Sequence, residues 1–152
     1  MQGQLRVPKT AMQNSAVLCE AYDYPKKVSF SRGMRVDLDS AVMLFISGTA
    51  SVDENDRSVH VGDFEAQARR VFVNITGFLA NEAADWHDVV RTTCYLTDFR
   101  YYDMFNRIRN SFYSEQGLDP LPASTCVQAT LCRPELLVEI EGIAVIPRGR
   151  CA

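Results

Sequence analysis

The run Leu136 to Ile146, LLVEIEGIAVI, constrains this chain more than any other stretch. It is almost wholly apolar, and only Glu139 and Glu141 interrupt it. Side chains two residues apart in a strand share a face. Leu136, Val138, Ile140, Gly142 and Ala144 therefore point one way, and Leu137, Glu139, Glu141, Ile143 and Val145 the other. The preceding stretch, Pro122 to Cys132, splits in the same manner, with Ser124, Cys126, Gln128, Thr130 and Cys132 on one side. A short connection at Arg133-Pro134-Glu135 joins the two stretches. If the polar faces align, thiols, hydroxyls and carboxylates form one surface while aliphatics cover a core on the other.

The rest of the chain supplies partners for that core. Ala16 to Tyr22 reads as an edge strand, broken at Tyr24-Pro25-Lys26-Lys27. Val28 to Leu38 alternates loosely, with Gly33 as a bend, and Val42 to Ile46 is a buried strand closed by Ser47-Gly48. Asp63 is a good helix N-cap and Glu65 suits the dipole of the first turn. Phe64, Ala68, Val71, Phe72, Ile75, Phe78 and Leu79 recur at helical spacing, which predicts a helix to about Ala84. Val89 to Leu96 reads as a strand. A second helix starts near Thr97-Asp98 with Tyr102, Phe105, Ile108 and Phe112 as its stripe, and Gly117 fits its C-terminal turn.

This order predicts an α+β fold, a mixed six-stranded sheet with two helices on one face. The other sheet face carries Leu137, Ile143 and Val145 with no cover from within the chain, which predicts self-association. Residues 1–15 are polar and patternless and read as a flexible arm; residues 16–152 read as one domain. A chain of 152 residues suffices for one real core.

Charge and cysteines narrow the function classes. The net charge is −3 and no Lys/Arg-rich run occurs, which argues against nucleic-acid and membrane-surface partners. No apolar run approaches the roughly 20 residues that span a bilayer, and MQGQLRVPKT carries no signal-peptide core. The five cysteines (Cys19, Cys94, Cys126, Cys132, Cys151) are irregularly spaced. That speaks against a disulfide framework or zinc site and for a reducing, cytoplasmic setting. His60 and His87 stand alone in turns and make a poor metal site.

An ordered set of short matches gives the chain a family likeness. Ser47-Gly48, Gln67-Ala68-Arg69, Asn74, Asn106, Pro122-Ala123, Cys126-Val127, Glu139-Ile140-Glu141 and Ile143-Ala144-Val145 resemble the reactive-intermediate deaminase (Rid/YjgF) family. The resemblance implies a chorismate-mutase-like fold and a homotrimer with active sites in the clefts between subunits. It also implies hydrolysis of enamine or imine intermediates such as 2-aminoacrylate, without metal or cofactor. A narrower likeness joins Ser47-Gly48-Thr49-Ala50-Ser51, Val59-His60-Val61-Gly62-Asp63, Cys132-Arg133 and Leu136 to Glu141. It is similar to the C-terminal domain of chorismatases, and implies that Cys132 and Glu139 approach each other.

These resemblances assign Glu139, Cys132 and Cys126 as catalytic candidates, and Phe30, Gly48, Asn106, Ser124 and Arg133 as substrate contacts. A carboxylate beside another carboxylate, and buried, is raised toward neutrality, where proton transfer is effective. Two positions depart from the deaminating pattern. Ser124 stands where those members carry an Arg that grips the substrate carboxylate, a bidentate contact that Ser cannot copy. Phe30 stands where they carry a Tyr. Arg133 and Arg32 are the candidates for a replacement anchor, although a lone arginine more often lies on the surface. The readings that follow are a small hydrolase acting on an imine or unsaturated carboxylate, a ligand-binding trimer without chemistry, and an RNA-directed protein, the last disfavoured by charge.

Overall fold

The computed structural model describes residues 6–24 and 26–150. Its elements are β1 (Lys9–Ala11), β2 (Gly33–Asp37), β3 (Ala41–Ala50), α1 (Phe64–Asn81), β4 (Val89–Leu96), α2 (Tyr102–Glu115), β5 (Ala123–Gln128) and β6 (Val138–Pro147). The strands form one sheet in the order β1-β2-β3-β6-β4-β5. All neighbours are antiparallel except β4 and β5, which run parallel and are joined through α2. The architecture is the expected α+β sheet with two helices, and β4 has the span read from the sequence.

The alternation in β6 builds the core. Val138, Ile140, Ala144 and Ile146 are buried on the helix side, beside Val42 and Leu44 of β3 and Cys94 and Leu96 of β4. Against them α1 packs Phe64, Ala68, Val71, Phe72, Ile75, Phe78 and Leu79. Each large apolar side chain so buried contributes about 1.5–3 kcal/mol. Asp63 caps α1 by accepting the Ala66 N–H at 3.0 Å. The chain leaves α1 earlier than the expected Ala84, turning through Ala83 at φ 55°. Asp98 caps a short 3-10 turn at Phe99–Tyr101, so α2 begins at Tyr102 rather than Thr97. Gly117, at φ 67°, closes it as expected.

Three expectations change. Ala16 to Tyr22 is not an edge strand. Asn14 sets up turns there, accepting the Ala16 N–H on its side chain and the Val17 and Leu18 N–H groups on its carbonyl. Leu18 thereby plugs the core instead of alternating. The edge strand is β1, so the flexible-arm reading fails over Lys9–Ala11, and Met12 is buried beside it. Residues 1–5 of that arm, and Cys151 among the cysteines, lie outside the described residues. The third change concerns β5 and β6, which are not neighbours, because β4 lies between them. Among the described residues no helix is long and apolar enough to cross a membrane.

Candidate active site

A bulge in β3 shapes the site. Ile46 pairs with Gly142 but Thr49 with Ile140, so β3 carries one residue more than β6 at Ser47–Gly48. A bulge of this kind re-aims the side chains next to it. Ser47 fixes it from both sides: its N–H donates to the Arg32 carbonyl at 3.0 Å and its hydroxyl to the Ser31 carbonyl at 2.7 Å. Glu139, paired with Ala50 and Tyr95 in the sheet, lies directly over Gly48. A Cβ on Gly48 would fall 2.1 Å from Glu139 Oε1. Only glycine lets the carboxylate lie there.

Two buried amides of α1 hold the surrounding loops. Gln67 accepts the Leu137 N–H at 2.8 Å and donates to the carbonyls of Glu135 and His60. Asn74 donates to the carbonyls of Ala50 and Val52. Both are fully buried, and together they tie the ends of β3 and β6 that carry Gly48 and Glu139 to one helix.

Glu139 opens into a cavity of about 400 Å³ lined by Tyr24, Phe30, Arg32, Gly48, Cys132 and Arg133, with Val28, Ala50, Val52 and Leu136 as an apolar wall. Burial, then the neighbouring Glu141, push the Glu139 carboxyl above the ordinary carboxylate range, and Arg32 opposes this. Arg133 is tied to Asp56 by an ion pair and to the Asp56 carbonyl at 2.9 Å. Glu141 faces a second cavity of about 550 Å³, with Arg91, Thr93, Phe45 and Ile143, and the two cavities share Phe30 and Ser47.

Five of the expected site residues, Phe30, Gly48, Cys132, Arg133 and Glu139, thus line one cavity. The other three do not join them within the chain. Ser124 and Cys126 pair in parallel with Thr92 and Cys94, whose side chains are buried on the helix side. They therefore sit on the opposite sheet face from Glu139, which corrects the single polar surface expected from strand parity. Asn106 of α2 belongs with them. Arg109 donates to Asn106 Oδ1 at 2.7 Å and to Ser124 Oγ at 3.1 Å. Thr92 also donates to Ser124 Oγ, at 3.1 Å. Burial, then Cys94, push the Cys126 thiol up, which disfavours a thiolate there.

Sequence reasoning missed Tyr24, read only as a chain break, and Arg109, which fell outside the quoted pattern. The apolar spacing of α2 carried no signal for Arg109. Arg109 is one helical turn after Asn106, and that spacing was the available clue.

The comparisons with known proteins agree with this fold. The family model described as endoribonuclease L-PSP matches residues 25–146. Over 102 residues the chain is 34% identical to the 3-aminoacrylate deaminase RutC of Acinetobacter baylyi, covering 67% of this chain and 78% of that one. Its fold is similar to that of E. coli TdcF with bound serine, with TM-score 0.73, 23% identity, 90% of this chain and 98% of that one. It is similar also to yeast Mmf1, with TM-score 0.74, 21% identity, 91% and 98%.

Proposed function

The chain belongs to the endoribonuclease L-PSP family, the Rid/YjgF proteins, and on that premise we propose that it is a hydrolase of enamine or imine carboxylates. The observation that carries this reading is Glu139: a carboxyl raised by burial, seated on the bare backbone of Gly48, inside a cavity that also holds a guanidinium. A protonated carboxyl near neutrality is a general acid. Glu139 gives its proton to the terminal carbon of the enamine. Water adds to the carbon of the resulting iminium, and the carbinolamine loses ammonia to leave a keto acid, with Glu139 reprotonated in the course of water addition. The balance consumes one water and releases one ammonia.

The same reading makes the protein a homotrimer with its sites in the subunit clefts. The open sheet face supports it: Phe45 is 38% exposed, next to Ile143 in the register and unshielded by either helix. Light scattering should return about three times the chain mass of 17.1 kDa. A monomer at micromolar concentration contradicts the cleft site. Ser124, Cys126 and Asn106, on the other face, then serve a cleft shared with a second copy. RNA is disfavoured as a substrate by the net charge of −3.

A second reading has its own support. Cys132 and Glu139 line one cavity, the juxtaposition that the chorismatase likeness implies. Ammonia release from freshly generated 2-aminoacrylate, run beside chorismate hydrolysis, separates the two. With Ser124 in place of an anchoring Arg, 2-aminoacrylate turnover should be weak. Turnover of neither substrate leaves the ligand-binding trimer as the reading.

A further inference from the structure

Arg32 is an arginine in a position that packing alone does not explain. It is only 6% exposed, and its Nη2 is buried with no hydrogen-bond partner. Its Nε donates to the Cys19 carbonyl at 3.0 Å. The rings of Tyr24 and Phe30 lie 4.9 and 5.6 Å from its Cζ, so two cation–π contacts fix the plane of the fork. No carboxylate is within ion-pair distance of it among the described residues. Of the acids whose charge reaches it, Asp56 is engaged with Arg133 and Glu20 with the Asn14 N–H, which leaves Glu139, in the same cavity but beyond ion-pair distance.

A buried guanidinium with an unpaired donor and no ion-pair contact is costly, and such groups ordinarily have a partner. Arg32 lines the cavity of Glu139. We propose that Arg32 is the carboxylate anchor of this cavity, and that the substrate is an unsaturated carboxylate with an apolar body larger than three carbons. The fork is already immobilised by its two rings, so binding costs little further ordering. Burial, then Glu141, raise the Glu139 carboxyl, which weakens its repulsion of an anion placed beside it. The size follows from the lining of the cavity, where an apolar wall stands beside Arg32 and Glu139. A three-carbon enamine leaves that wall of Val28, Ala50, Val52 and Leu136 uncovered. The other candidate arginine, Arg133, is spent on Asp56, and Arg109 is turned to Ser124 and Asn106 across the sheet. The binding claim stands on Arg32 alone; its link to turnover rests on the hydrolase reading.

The test is calorimetric titration of the full chain with benzoate, its neutral isostere benzamide, and pyruvate. Benzoate should bind tighter than benzamide by about tenfold or more, the worth of a charge-assisted bidentate contact, and tighter than pyruvate. Arg32→Gln should erase the preference for benzoate over benzamide, and Arg109→Gln should leave it. Because a buried arginine also supports the fold, the wild-type protein provides a second readout. In ¹⁵N-arginine NMR, the Arg32 Nε resonance should shift with benzoate and not with benzamide. Equal binding of benzoate and benzamide, no saturable benzoate binding at millimolar levels, or loss in Arg109→Gln instead would overturn the anchor. Pyruvate binding tighter than benzoate would overturn the size class. Turnover by Glu139→Gln is read separately. No turnover by the wild-type protein with an intact Arg32 effect sinks the hydrolase reading alone, turnover that survives Glu139→Gln removes only the acid role of Glu139, and turnover without an Arg32 effect sinks the anchor alone.

Discussion

Gly48→Ala tests the seat of Glu139 with a single methyl group. The added Cβ would stand 2.1 Å from Glu139 Oε1 and 2.8 Å from its Cδ. Real Cβ contacts do not fall below 3.0 Å, so the carboxylate oxygen must retreat by about 1 Å. The neighbour is the end of a side chain and not backbone, so the fold can yield. Overpacking typically costs 1–3 kcal/mol, and the low end, about 1 kcal/mol, is expected here. Activity should suffer far more, because a misplacement of about 1 Å in a proton donor costs on the order of 10²-fold in rate. Urea denaturation and steady-state turnover measure the two losses. Background variants separate the steric cause from the electrostatic one. In Glu139→Ala, where the obstructing carboxylate is gone, the stability cost of Gly48→Ala should shrink to within ~0.5 kcal/mol of zero. In Glu139→Gln, which keeps the shape, it should persist. A Gly48→Ala protein as active as wild type would refute the seat, as would a stability cost untouched by Glu139→Ala.

Glu139→Gln should lower kcat by about 10²–10⁴ with the fold intact, while Glu141→Gln, facing the neighbouring cavity, should change it much less; equal losses would indicate a general field effect. As an acid with a raised folded pKa, Glu139 should lose activity as pH rises through that value. The same shift has a stability sign: between the ordinary carboxylate range and the raised value the folded chain holds a proton that the unfolded chain has released. Stability contributed by Glu139 therefore declines as pH rises across that window, and Glu139→Gln should flatten the decline in pH-dependent melts. Gln67→Ala strands the Leu137 N–H and the Glu135 carbonyl inside the protein and should cost about 2–4 kcal/mol by urea denaturation; a cost under ~0.5 kcal/mol would show that the amide does not hold the loops.

The helices and β4 were legible because their burial is written in local periodicity, and β6 because its two carboxylates break an apolar alternation. Strand parity was also right within each strand. It failed between strands, since it says which residues share a face but not which strand lies alongside. The insertion of β4 between β5 and β6 moved Ser124 and Cys126 to the helix side, away from Glu139. Gly48 and Glu139 were found as a pair only through family likeness, and the bulge that joins them has no spacing signature. Arg32 shows the limit most directly. It sits between a loop and a strand, and its burial depends on Tyr24 and Phe30 folding over it, a contact that hydrophobic periodicity does not encode. The edge strand was misplaced because Asn14 competes for backbone N–H groups, a local effect that overrides an apolar run.

The position of β6 has a consequence for how the molecule is made. Among the described residues it is the last strand and the only one that joins β3 to β4. Until it arrives, β1–β3 and β4–β5 are two separate sheets, each with a bare inner edge and with α1 lying over unfinished ground. Chains emerge N-terminus first, and unpaired edges of this kind are the places where nascent proteins stick to one another. The same ten residues, Val138–Pro147, that close the sheet also deliver Glu139. A ribosome product cut short before them lacks its central strand and the proposed acid together, so on the proposed function the check on folding and the check on activity fall on one segment.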